Sequence, residues 1–167
     1  KKLEDKEWSG VCIDGNPNIF DTLKSNRKCD CINEVVYNKT YVEYTIFSGE
    51  LDDYSGISSK FNAEHVLGVT KLLNEYKCDT EKKTMSTTDI QTVCEQRDCK
   101  RIDYLSLDLC GSELEVLTNF PFKDIHVDVL DLKKAVINKK LKQLLKDSNF
   151  KFHKQENGYE YYKNNAD

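Results

Sequence analysis

The stretch Ile102-Asp103-Tyr104-Leu105-Ser106-Leu107-Asp108-Leu109-Cys110-Gly111-Ser112-Glu113-Leu114-Glu115-Val116-Leu117 leaves this chain few folds to choose from. A strand-length apolar run reaches an acid, turns at a glycine and restarts with helical spacing. Ser112 and Glu115 have the serine-x-x-glutamate spacing of a capping box. Strand, turn and helix in that order make a βα unit with a carboxylate at its turn. In open α/β sheets ligands sit beyond the carboxyl ends of the strands, so Asp108 is the first candidate for chemistry or ligand contact. The plain alternative is a βα unit whose acid is only solvated.

An earlier segment repeats the arrangement. Val11-Cys12-Ile13 reads as a strand ending in Asp14, and Asn16-Pro17 supplies an N-cap and a proline at the first helical position. Ile19, Phe20 and Leu23 form the buried stripe of the helix. A further strand is expected over 31–37, and Tyr41 to Phe47 alternates with the period of a half-exposed strand. A turn-rich loop from Ser48 to Ser59 follows, then a helix with Ala63, Val66, Leu67, Thr70, Leu73 and Tyr76 on one face. Lys77 to Lys83 reads as a charged surface turn, Thr84 to Ser86 as a short strand, and Thr88 as the cap of the next helix. Beyond Leu117 come a strand over 125–130, an amphipathic helix from about Asp131 to Asp147, and a hairpin of Asn149–His153 and Tyr159–Lys163 turned at Glu156-Asn157-Gly158. Strands alternating with helices predict an α/β domain spanning 1–167, its sheet mainly parallel, Rossmann-like and extended by a C-terminal antiparallel hairpin.

Composition excludes several roles. The chain of 167 residues is 38% hydrophobic and 32% charged, and it has no apolar run approaching the ~18 residues of a spanning helix. A net charge of −4 with interspersed signs gives no reason to expect nucleic acid or an anionic membrane as partner. The lysines between Lys133 and Lys146 alternate with leucines at helical spacing and read as a wet face. Seven cysteines are an odd number without a regular framework, which predicts free thiols in a reducing, cytoplasmic setting. Neither Cys29-Asp30-Cys31 nor Cys94 through Cys99 has the spacing of a zinc ribbon, so no metal is expected. Asn38-Lys39-Thr40 matches a glycosylation sequon but follows no signal peptide and reads as coincidence. The opening Lys1-Lys2-Leu3-Glu4-Asp5-Lys6-Glu7-Trp8 resembles neither a translation start nor a targeting segment, and the expectation is that an upstream portion has been removed.

Three stretches together resemble the FkbM-type S-adenosylmethionine-dependent methyltransferases. Trp8 to Phe20 is similar to the family's second strand and its acid-proline-asparagine-proline turn. The loop with Leu51, Ser55, Gly56 and Ile57 is the second stretch. Asp103 to Leu117 resembles the aspartate-x-glutamate-glycine-x-glutamate turn after the fourth strand. The likeness extends from Trp8 over nearly the whole chain and implies a class I methyltransferase sheet, S-adenosylmethionine as cofactor, and O-methylation of a hydroxyl on a small molecule or glycan. It implies cofactor contacts from Asp14, Asn16 and Asp108, with Asp14 taking the ribose hydroxyls. Asp108, Asp131 and Glu113 become candidates for catalysis, Asp108 or Asp131 accepting the proton of the acceptor hydroxyl. His126 and His65 are weaker candidates for the base and are read first as packed or exposed structural histidines.

The chain departs from that pattern in three places. Cys110 stands where the family has glutamate, and Gly15 stands where it has proline. No glycine-rich turn precedes Val11, which predicts an N-terminally incomplete domain whose missing strand would lie between those ending in Asp14 and Asp108. Its loss would leave two rows of backbone groups unpaired. A second expectation follows: a degenerate, methyltransferase-like interaction module whose open sheet is completed by a partner chain or an oligomer. A third is a nucleotide-binding α/β domain of other chemistry.

Overall fold

In the computed structural model, which describes residues 2–165, the chain falls into two compact units that divide between Thr88 and Asp89. The first begins with strand β1 (Val11–Ile13), helix α1 (Pro17–Ser25) and strand β2 (Asp30–Ile32). β1 and β2 form a parallel pair in which Cys12 faces Cys31. As expected from Asn16-Pro17, the Asn16 side chain accepts from Asn18 N–H and Pro17 opens the helix. Strand β3 (Val35–Val36), strand β4 (Tyr41–Phe47), strand β5 (Gly56–Ile57), helix α2 (Ala63–Glu75) and strand β6 (Thr80–Thr88) follow. They build a sheet of order β3-β6-β4-β5. Phe47, Leu51 and Val69 form its buried cluster, backed by Tyr54, Phe61 and Leu72.

The second unit contains helix α3 (Ile90–Glu95), strand β7 (Arg101–Leu107), helix α4 (Glu113–Thr118), strand β8 (His126–Lys133), helix α5 (Lys139–Asp147), strand β9 (Phe150–Glu156) and strand β10 (Tyr159–Asn164). Its sheet has the order β7-β8-β10-β9, with β7 and β8 parallel and the hairpin antiparallel. The hairpin turns at Asn157 (φ 52°) and Gly158 (φ 85°), the two positive values that a tight turn between twisted strands requires. Leu141 and Leu145 of α5 are fully buried, and Asn138 caps the helix by accepting from Lys140 and Leu141 N–H at 3.0 Å each.

A mainly parallel, Rossmann-like sheet does not form. The described residues make three small sheets: the β1-β2 pair and two mixed sheets in which β4 runs antiparallel to β5 and β6, and β10 antiparallel to β8 and β9. The decisive element is β6. Its nine residues carry Glu81, Lys82, Lys83 and Thr80, Thr84, Thr87 and Thr88, most of them exposed. Threonine favours strands, but a strand wet on both faces shows no hydrophobic period, and half of this one therefore reads as a charged turn.

Smaller corrections follow the same logic. The strand expected over 31–37 breaks at Asn33 and Glu34 into β2 and β3, which join different sheets. Asp89, not Thr88, caps α3 by accepting from Thr92 N–H at 2.7 Å. Ser112 makes no side-chain cap at α4, so the predicted capping box is absent. β8 runs on through Lys133, and the helix expected from Asp131 starts at Lys139.

Candidate functional site

In the second unit, Asp108 is the residue immediately beyond β7. Lys133 closes β8 and Tyr159 opens β10, and these two face each other across the ladder. All three ends meet. Lys133 Nζ lies 3.1 Å from Asp108 Oδ2 and 3.4 Å from Oδ1, and the Tyr159 hydroxyl donates to Oδ2 at 3.0 Å. Burial opposes the charge on Lys133, but the Asp108 carboxylate outweighs it and holds the ammonium above its ordinary pKa. Burial, then Asp108, raises the Tyr159 phenol. Near neutrality the group is therefore a charged lysine and an un-ionised phenol on one half-exposed carboxylate. It offers a polar anchor for a hydroxyl at the carboxyl end of a parallel strand pair.

Two strand positions back, Asp131 faces Ser106 on β7 and Tyr161 on β10. It lies inside β8 rather than after it. Its side chain is buried, and Oδ1 has no hydrogen-bond partner. Burial raises its pKa against the hydrogen bonds from Ser106 and Tyr104, and Asp108 adds repulsion. Tyr104 is itself raised, by burial and by the neighbouring Asp131. Asp131 can thus take up a proton more readily than a solvated aspartate.

Glu113 has a different task. At 1% exposure, its Oε1 accepts from Leu109 N–H at 2.7 Å and its Oε2 from Gly111 N–H at 3.0 Å. It stitches the turn after Asp108, where Cys110 (φ 52°) and Gly111 (φ 108°) take left-handed conformations. Burial raises its pKa despite those donors. With both oxygens committed to backbone, Glu113 positions the turn instead of meeting a ligand. The Ser112 hydroxyl donates to the Leu109 carbonyl at 3.2 Å and closes the same turn.

In the first unit, Asp14 follows β1. Its N–H donates to the Ile32 carbonyl at 3.1 Å, and its carbonyl accepts from Asn33 Nδ2 at 2.8 Å, so β2 fixes the backbone. Its Oδ1 accepts from Asn16 N–H at 2.8 Å. Burial raises the carboxyl, the Asn16 contact opposes this, and Asp53 and Asp52 add repulsion. Asn16 is 1% exposed. Its Nδ2 donates to the Asp52 carbonyl at 3.2 Å and to Ser55 Oγ at 3.0 Å, while its Oδ1 caps α1. Ser55 Oγ also accepts from Phe47 N–H. Asn16 therefore ties the 48–55 loop to the end of β1, and its polar atoms are spent inside the protein. Gly15 is a packing residue: a Cβ there would stand 2.7 Å from Val35 Cγ2 and 3.3 Å from the Tyr44 ring.

The structure thus brings Asp108 together with Lys133 and Tyr159, and sets Asp14 among Asn16, Asp52 and Asp53. Sequence reading gives no site role to Lys133, Tyr159, Tyr104 or Ser106, and it marks Ser55 only as part of a loop. Finding Lys133 and Tyr159 requires knowing that β10 pairs with β8, and the hairpin pattern alone does not say which strand lies beside it. His126 opens β8, at the far end from Asp108. Its Nε2 contacts Asp128 Oδ1 at 2.7 Å beside the Arg101–Asp128 ion pair. His65 stacks on Phe61 with ring centroids 4.1 Å apart. Among the described residues no three His, Cys, Asp or Glu side chains are grouped to hold a metal, and no helix is long and apolar enough to cross a membrane. No protein-family model, curated protein or solved structure matches this chain.

Proposed function

We propose that the chain is an S-adenosylmethionine-dependent methyltransferase acting on a hydroxyl of a small molecule or glycan, the reading that its resemblance to FkbM-type enzymes favours. The observation that supports it best is that each unit places a carboxylate directly beyond a strand of a parallel pair, Asp14 after β1 and Asp108 after β7. Each such acid is suited to hold a hydroxyl donor of a ligand. The fit to the cofactor is good at the ribose end: Asp14 Oδ1 is engaged by Asn16 N–H, and Oδ2 is the atom to which ribose hydroxyls would donate. When bound, the cofactor supplies the activated methyl group.

The protein's share is positioning and proton removal. Lys133 and Tyr159 orient Asp108, which takes the acceptor hydroxyl as a hydrogen-bond donor. Asp131, desolvated and with an unpartnered Oδ1, is the group suited to receive its proton. Calorimetric titration with S-adenosylhomocysteine tests this function. Measurable binding that Asp14→Ala weakens at least about tenfold, the worth of one charge-assisted hydrogen bond, is the expected result. Absence of binding by both proteins would refute it.

A second reading is favoured by the sheet edges. A parallel pair only three residues long is too small to persist alone, and β7 ends its sheet with one edge unpaired among the described residues. An interaction module whose strands are completed by a partner chain would account for both. Light scattering that reports a cofactor-blind oligomer would favour this reading over the first.

A further inference from the structure

We propose that Cys12 and Cys29 form an oxidisable thiol pair that closes to a disulfide, fastening the entry of β2 to the middle of β1. Seventeen residues separate them in sequence, so no spacing motif marks them. The fold brings the Cys29 thiol to donate to Cys12 Sγ at 3.4 Å. A disulfide bond is about 2.05 Å long, so closure needs the sulfurs to approach by about 1.4 Å. Both cysteines are partly exposed, and the facing sulfurs set the direction of that approach. The backbone at Cys29 is already fixed, since Glu4 Oε1 accepts from Lys28 N–H at 2.7 Å and from Cys29 N–H at 2.9 Å.

Cys31 is the natural competitor because its Cα is the ladder partner of Cys12. Its thiol is turned to the Cys29 carbonyl at 3.6 Å. A thiolate metal site is the other use for three neighbouring cysteines, and the described residues contain no group of three or more arranged for one.

Oxidised glutathione is a sufficient oxidant. One cysteine, as thiolate, attacks a glutathione sulfur, breaks its S–S bond and releases one glutathione thiolate. The second cysteine then attacks the protein sulfur of the mixed disulfide and releases the other. The chain gives up two electrons and two protons, and one oxidised glutathione becomes two reduced molecules. Burial, then the contact with Cys12, pushes the Cys29 thiol up to about 12, and burial also raises Cys12. The pair therefore reacts slowly, and its closure needs prolonged exposure to the oxidising buffer.

The test is to equilibrate the full chain with a glutathione redox buffer, block free thiols with iodoacetamide and map the unreduced peptides after cleavage before aspartate. Cleavage at Asp30 separates Cys29 from Cys31, so the linkages are distinguished by mass. The expected product joins the Cys12 peptide to the Cys29 peptide, and Cys31→Ser leaves it unchanged. The oxidised protein should also melt about 5 °C or more above oxidised Cys29→Ser. A Cys12–Cys31 linkage, or Cys12 still fully alkylated at equilibrium, would overturn the proposal. The linkage map uses the unmutated chain and holds even if Cys29→Ser fails to fold.

Discussion

Glu113 carries the turn that presents Asp108, and its removal has a calculable effect. Glu113→Ala strands the partly buried N–H groups of Leu109 and Gly111, each costing up to about 1–3 kcal/mol when unsatisfied. The expected loss in urea unfolding is about 3 kcal/mol, and a loss under about 1 kcal/mol would mean that the turn holds itself. Asp131 gives a different signature. Its folded pKa lies above the unfolded value near 4, so the native state binds the proton more tightly than the unfolded one. Its contribution to stability is full below about pH 4 and is lost as pH rises through the raised folded value. Asp14 and Glu113 act with the same sign. Asp131→Asn should therefore flatten, without abolishing, the fall in stability between pH 4 and neutrality, and identical slopes would contradict this. Asp14, Asp108 and Asp131 are all visible in the sequence as acids near strand ends. What the sequence hides is which of them are engaged: Asn16 reads as a ligand contact until its amide is seen bonded to Ser55 and Asp52.

At the scale of elements, the fit of the turn after β1 against Val35 of β3 and Tyr44 of β4 depends on Gly15. Overpacking of this kind costs about 1–3 kcal/mol, so Gly15→Ala, with Val35 Cγ2 only 2.7 Å from the new methyl, should destabilise by that much. Gly15→Ala/Val35→Ala should lose less than the sum of the two single changes, and strict additivity would place the strain elsewhere. Elements with a strong local signal are the ones the sequence reveals. β4 alternates, α1 has its cap and proline, and the final hairpin has Asn157-Gly158. Those with a weak or misleading signal are lost. β6 hides its threonines among charges, β2 and β3 look continuous because Cys31 to Tyr37 is apolar at both ends, and α4 replaces its expected serine cap with a buried glutamate that binds the preceding turn.

For the whole molecule, local βα patterns are legible and sheet assembly is not. Each βα unit announces itself within about fifteen residues. Which strands become neighbours depends on pairings such as Tyr41–Phe47 with Thr80–Ser86, far apart in sequence and made on the Thr80–Ser86 side by mostly exposed polar residues. The expectation of a mainly parallel sheet extrapolates two local units to a global order that the polar strands do not follow. The proposed activity rests on Asp14 and Asp108 at the ends of β1 and β7, which lie in different sheets. The measurement that tests it most directly is an amide chemical-shift titration of the labelled chain with S-adenosylhomocysteine. The account predicts saturable shifts at Asp14, Gly15 and Asn16, with the Phe150–Asn164 end of the hairpin and the Arg101–His126 end of the β7-β8 sheet undisturbed. Shifts confined to those remote sites, or none at saturating ligand, would contradict it.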